Sequence, residues 1–278
     1  MCYSCRMRIH TSLFFLFVAS AHAADGVTAA VTAAREKLQK RERVAAAKLL
    51  RNFINESKAG EGKKKALEEL RQVATVFFTN EGQRNFQLAE SVRLSGQTGY
   101  QSKYEEALKV EGQNSSVLLA EALGLLSMKK CKQAAALVER SLETNPYAQE
   151  AQLLLYKAKL CDGQNVEDQM LSITDKELLP IWKATQAQKA LAEGRGVQAT
   201  SYAREAIHLD KAYPAGYFWV WSANSGEGEE GIEEAQKFLS LCKGVTPALR
   251  RKYYWDADLC AKTETVEEAV KKAENQSP

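Results

Sequence analysis

The chain has 278 residues, of which 45% are hydrophobic and 26% charged, with a formal charge of +3 at neutral pH. That length holds either two compact domains or one extended array, and so small a net charge gives no general electrostatic drive toward nucleic acid. With only three histidines, six cysteines and five prolines, the position of each is informative.

Residues 7 to 23, MRIHTSLFFLFVASAHA, carry Arg8, with Arg6 just before, then an apolar run from Leu13 to Ala19, then Ala21-His22-Ala23. This is the layout of a secretory signal peptide, and cleavage is expected after Ala23. The apolar run is roughly half the length a membrane-spanning helix needs, so no stable membrane span is expected. No cysteine follows directly to carry a lipid, and the periplasm is the expected address. Removal of residues 1–23 takes Arg6 and Arg8 and lowers the formal charge from +3 to +1. Cys2 and Cys5 form a C-x-x-C pattern upstream of the signal, where Met7 offers a second start, so the pattern is read as a decoy.

Residues 27 to 57 lack Gly and Pro and set Val27, Val31, Ala34 and Leu38 on one face, which predicts helix. Lys58 to Lys65, KAGEGKKK, reads as an exposed turn, and Leu67, Leu70, Val73, Val76 and Phe77 mark a following helix. Four prolines then fall at Pro146, Pro180, Pro214 and Pro247, at intervals of 34, 34 and 33 residues. Proline lacks the N–H that a helix interior needs, so each marks a junction, with room for a helix pair between junctions. KYEEALKVE, LVERSLETNP and YAREAIHLD each place a small residue (Ala107, Ser141, Ala206) directly before Leu or Ile, with Tyr104, Val138 and Ala203 three residues earlier. Small residues at that spacing let helices approach closely. Gly163, Gly194 and Gly228 are expected to end helices in a left-handed conformation.

This pattern resembles the tetratricopeptide repeat, a 34-residue helix-turn-helix. The best unit is 115–148, with Ala122, Ala134, Ser141 and Pro146 in matching places; 180–213 follows with Ala187, Gly194, Ala199 and Ala206. Residues 214–246 match near Tyr217, 81–114 match through Tyr104 and Ala107, and 149–179 form a shortened copy. Glu121 and Gln186 depart from the pattern by replacing an apolar residue. Thr265 to Glu268 fits a capping box for a last helix. The resemblance implies an all-α fold, a right-handed α-solenoid, organised as a signal peptide (1–23), an N-terminal helical segment (24–80) and a repeat array with a capping helix (81–275).

Chemistry is sparse. His208 alone of the histidines survives signal cleavage, near a helix end where it is read as solvated. No phosphate loop, histidine-rich zinc site or calcium loop is present, so no enzyme activity, cofactor or metal is expected. The aromatics Tyr213, Tyr217, Phe218, Trp219, Trp221, Tyr253, Tyr254 and Trp255 are read as mostly core, because adjacent helical residues point about 100° apart.

The resemblance implies a scaffold whose concave face binds a protein or peptide partner. In that register the inner face comprises Leu119, Leu123, Leu153, Lys157, Ala184, Gln188, Phe218 and Ser222, with apolar anchors expected to outweigh any clamp on a terminal carboxylate. A second reading is a small-ligand component of a solute uptake system, since the repeat 214–246 resembles the helical T-component of TRAP transporters. The register also places Cys131 at the start of one helix beside Cys161 at the end of the next, so a disulfide is expected there. Cys242 and Cys260 are expected to pair poorly, being separated by roughly 20 Å of helix.

Overall fold

A computed structural model describes residues 26–95, 97–167, 171–224, 228–244 and 259–275, with backbone alone at 228–230. The signal peptide, Cys2, Cys5, the first residues of the acidic turn at Ser225, Pro247, Tyr253, Tyr254 and Trp255 lie outside the described residues. Among those described there is no strand.

The chain begins with α1, residues 26–39, followed by α2 (Arg43–Glu56) and α3 (Glu61–Thr75). The single helix expected over 27–57 is therefore a hairpin, turned at 40–42 with Arg41 at φ 60°. One long helix would leave the stripe Val27, Val31 and Ala34 unpaired. Folded back, that stripe packs on Ala46, Ala47, Leu50 and Ile54, and α3 adds Ala66, Leu70 and Val73. The expected turn at 58–65 is shorter than anticipated, because α3 starts at Glu61 to bring Ala66 into this core.

The array continues with α4 (Asn80–Leu94), α5 (Tyr100–Glu111), α6 (Ser115–Ser127), α7 (Cys131–Thr144) and α8 (Gln149–Cys161). It ends with α9 (Leu179–Ala192), α10 (Gly196–Leu209), α11 (Pro214–Ala223), α12 (Gly228–Lys243), a 3-10 turn (Leu259–Lys262) and α13 (Thr263–Glu274). Consecutive helices pack as pairs, α4 on α5, α6 on α7, α9 on α10 and α11 on α12, while α6 also meets α8 and α9 meets α11. That is an all-α solenoid. The small residues named from sequence, Ala107, Ala134, Ser141, Ala187, Ala199 and Ala206, are buried at the helix contacts. Gly216 belongs with them, since a Cβ there would stand 2.7 Å from Ile207.

Several local expectations are corrected. Gly163 and Gly194 take φ of 73° and 74° at helix ends, but Gly228 opens α12. Residues 149–179 hold one helix, α8, and no second helix among the described residues. The chain instead returns with Ile173 and Leu178 buried in the main core beside Leu153, Leu154 and Trp182. Apolar anchors at single positions suffice there because Lys189 donates to the Val166 carbonyl at 2.5 Å and Gln149 holds the far end. Thr265 lies inside α13, which starts two residues earlier, and the cap position, Lys262, makes no side-chain capping bond.

The cysteines come together in two pairs. Cys131, the first residue of α7, and Cys161, the last of α8, are at disulfide distance, with Cα atoms 5.7 Å apart. Cys242 and Cys260 are also at disulfide distance, Cα to Cα 5.5 Å, which overturns the expected separation. Cys260 does not sit high on a helix. It lies in the 3-10 turn that rests on α11 and leads into α13, and α13 packs on α12, so the turn returns to the end of α12 where Cys242 sits.

A buried polar cluster joins the N-terminal bundle to the array. Arg43 of α2, 3% exposed, donates to the carbonyls of Val73 (2.6 Å) and Val76 (2.8 Å) and lies 4.2 Å from the Phe78 ring centre. Glu111 of α5, 2% exposed, stands 3.5 Å from Arg43 and accepts from the Phe78 and Thr79 amides and the Thr79 hydroxyl. Asn114 donates to the Thr75 and Val76 carbonyls while its Oδ1 caps α6 through the Ser116 and Val117 amides. Burial pushes the Arg43 guanidinium down to about 10, and the Glu111 charge partly offsets it. Gly82 fits because any Cβ would collide with the Glu111 carboxylate.

Removing one member of a buried ion pair strands the other, so Glu111→Ala is expected to cost about 3 to 5 kcal/mol in urea unfolding, against under about 1 kcal/mol for the surface change Glu106→Ala. Glu121 offers a pH test. Burial raises its carboxyl, Glu105 adds to the shift and Arg140 opposes it, and its Oε2 is buried with no hydrogen bond. With the folded value above the unfolded one, the unfolded chain ionises first as pH rises, so the native state is penalised at neutral pH and not in acid. Glu121→Gln is therefore expected to raise stability at pH 7, with the gain vanishing below about pH 4.

Candidate binding groove

The first helices of successive pairs lie side by side, and α3 of the N-terminal bundle packs against α6. Between them run two adjoining depressions. The smaller, about 230 Å³, lies among α3, α4, α6 and the start of α8, with Phe86, Ala120, Leu119 and Leu123 on its wall. The larger, about 950 Å³, passes from Leu67 and Arg71 of α3 across the starts of α8 and α9 to Asp210 and Tyr213 ahead of α11. Arg71, Asn145, Ala148 and Glu150 line both, so the two form one continuous groove.

Its electrostatics are uneven. The smaller depression carries Glu90 and Arg93, paired at 2.9 Å, and Arg93 also donates to the Tyr104 hydroxyl at 3.0 Å, while that hydroxyl donates to Glu90. Burial works against the Arg93 charge, but its hydrogen bonds to Glu90 and Tyr104 and the Glu90 carboxylate charge outweigh it and leave the guanidinium raised. Burial raises the Tyr104 phenol as well. The larger depression is lined by Glu150, Asp175, Glu177 and Asp210, with Arg71 as the cationic side chain of its described lining.

These carboxylates are placed by the ends of helices. Gln149, at the start of α8, accepts from the Thr174 and Asp175 amides at 2.8 and 3.0 Å and donates to the Thr174 hydroxyl at 2.8 Å. Asp175 in turn accepts from the Glu177 amide at 2.9 Å. One glutamine thus fastens the returning segment to α8 and holds two exposed carboxylates at the groove edge.

The residues expected on the inner face divide. Leu119 and Leu123 line the smaller depression. Leu153, Ala184 and Phe218 are buried in the main core, where Phe218 meets Phe238, Trp219 and Trp221 with ring centres 4.9 to 5.6 Å apart. Lys157, Gln188 and Ser222 are half-buried and lie outside the groove lining. Close packing of α6 on α8 and of α9 on α11 turns that helical face into a contact between first helices, while Phe218 is enclosed by Phe238 of α12. Tyr213 is buried, while Tyr217, Trp219 and Trp221 are half-buried against the core. His208 stands exposed in the last turn of α10, on a separate depression of about 1180 Å³ along that helix.

Sequence reasoning missed Arg71, Glu150, Asp175, Glu177 and Asp210. A signal was present: three of the four proline junctions carry acid nearby, Glu150 after Pro146, Asp175 and Glu177 before Pro180, Asp210 before Pro214. Among the described residues no group of His, Cys, Asp and Glu is disposed to hold a metal ion, and no helix is long and apolar enough to cross a membrane.

No protein-family model matches the chain, and no curated protein matches it. Solved structures similar to it include a MamA RS-1 ArsTM double mutant, 14% identical, covering 79% of this chain and 96% of its own, with a TM-score of 0.26. MamA 41-end from Desulfovibrio magneticus RS-1 is 14% identical, covering 82% of this chain and 96% of its own, with a TM-score of 0.25.

Gln149→Ala removes the fastening of the returning segment. Amide exchange at Thr174 and Asp175 is expected to speed up by about tenfold, while the amides of α6 and α7 keep their protection.

Proposed function

We propose that the chain is a non-catalytic repeat scaffold of the periplasm that takes an extended, basic peptide segment of a protein partner into the groove between α3 and the starts of α6, α8 and α9. The observation that carries this is the charge of the larger depression, four carboxylates facing one guanidinium along a surface of stacked helix ends. A peptide lysine or arginine gains from such an edge most at its encounter with the groove, and apolar side chains complete the fit in the smaller depression at Leu119, Leu123 and Phe86. The two cysteine pairs at disulfide distance support an oxidising compartment.

The test is fluorescence anisotropy of the mature chain with labelled peptides of matched length, one lysine-rich and one glutamate-rich, each with a few leucines. The basic peptide is expected to bind and the acidic one not to. The combined variant Glu150→Gln, Asp175→Asn, Glu177→Gln, Asp210→Asn is expected to weaken binding by about tenfold or more, with a flatter salt dependence. Equal binding of both peptides, or an unchanged affinity in the variant, would reject the groove.

A further inference from the structure

The two cysteine pairs sit at opposite ends of helices. Cys131 is the first residue of the 14-residue helix α7 and is 7% exposed, whereas its neighbour Cys161 is exposed at the end of α8. They lie together in a shallow basin of about 370 Å³ whose wall carries Lys129, Lys130 and Lys132 against Asp162. Lys130 and Lys132 are exposed, and the turn holding Lys129 is bent with φ 59°. The second pair has the reverse polarity: Cys242 sits in the last turn of α12 and packs against the main core. A thiolate is stabilised at a helix N-terminus and beside lysines, and disfavoured at a helix C-terminus.

We propose that the Cys131–Cys161 disulfide is an exchange site for small anionic thiols of the glutathione class, with Cys161 the sulfur attacked. The attacking thiolate forms a new S–S bond to Cys161 Sγ. The Cys131–Cys161 bond breaks, and its electron pair leaves on Cys131 as a thiolate held at the start of α7. Nothing is oxidised or reduced beyond this exchange, and attack by Cys131 on the mixed disulfide expels the thiol and restores the bond. The lysine ring acts twice, drawing a negatively charged thiol to the exposed sulfur and stabilising the leaving group. Exchange uncouples α7 from the end of α8 without touching the groove, so its outcome is independent of peptide binding.

The experiment uses the mature, unreduced chain under native conditions, with acid quenching, alkylation and peptide mass mapping over time. The probes are glutathione, which carries net negative charge, and cysteamine, which is positive, each scaled to its rate on a small uncharged disulfide. Glutathione is expected to modify Cys161 about fivefold or more faster than cysteamine at low salt, with the ratio approaching one at high salt. The Lys130→Gln, Lys132→Gln variant is expected to lose that preference while keeping the wild-type melting curve, and Cys242 and Cys260 should remain unmodified over the same period. The idea fails if Cys131 and Cys161 are free thiols at the outset, if both probes react equally at low salt, if the adduct forms on Cys131, or if Cys242–Cys260 reacts as fast.

Discussion

Five backbone groups from the last turn of α3 to the start of α4, the carbonyls of Val73, Thr75 and Val76 and the amides of Phe78 and Thr79, find their partners in side chains of α2, α5 and the cap of α6. A buried peptide group left unpaired is costly, so this linker can be enclosed only where Arg43, Glu111 and Asn114 converge. The convergence forces α2, α5 and the start of α6 around one point. It also sets α3 beside α6, and α3 brings Leu67 and Arg71 to the groove. The wall of the candidate site is thus a consequence of how a connecting segment satisfies its hydrogen bonds.

The same economy explains the irregular stretch after α8. A regular repeat would place a second helix there and bury one of its faces. Here two apolar anchors, Ile173 and Leu178, enter the main core, and a lysine and a glutamine satisfy the backbone at either end. Its described part presents Asp175 and Glu177 at the groove edge. An ordinary array is thereby given an asymmetric charge at one place along its groove. The N-terminal bundle faces the same region, since Arg51 donates to the Glu143 carbonyl and Asn55 accepts from the Tyr147 hydroxyl.

The two ends of the array are held differently. Toward the N-terminus the fastening is polar and buried. Toward the C-terminus it is the turn Leu259–Lys262, pinned by buried Leu259 and by the approach of Cys260 to Cys242, with α13 closing the apolar face of α12 through Val266 and Val270. An open array must cover its terminal apolar face, and α13 does so with a polar outer surface.

What the amino-acid sequence determined by itself was set by local periodicity: the helical class, the paired arrangement, the buried alanines at 107, 134, 199 and 206, the junctions at Pro146, Pro180 and Pro214, and the approach of Cys131 to Cys161 that follows from repeat register. These depend on spacing within one or two helices, where an apolar or small residue every three or four positions has one physical meaning. Tertiary structure alone decided the break at 40–42, the lack of a second helix among the described residues between α8 and α9, the return of Cys260 to Cys242 and the burial of Leu153, Ala184 and Phe218. Each of these turns on which faces meet. Leu153, Ala184 and Phe218 read as inner-face residues because of their helical phase, and they are buried because other helices pack on that phase, α12 through Phe238 in the case of Phe218. Arg43, Glu111 and Asn114 carry no pattern in sequence, lying in three separate helices or caps, and only the enclosure of one linker makes them a unit.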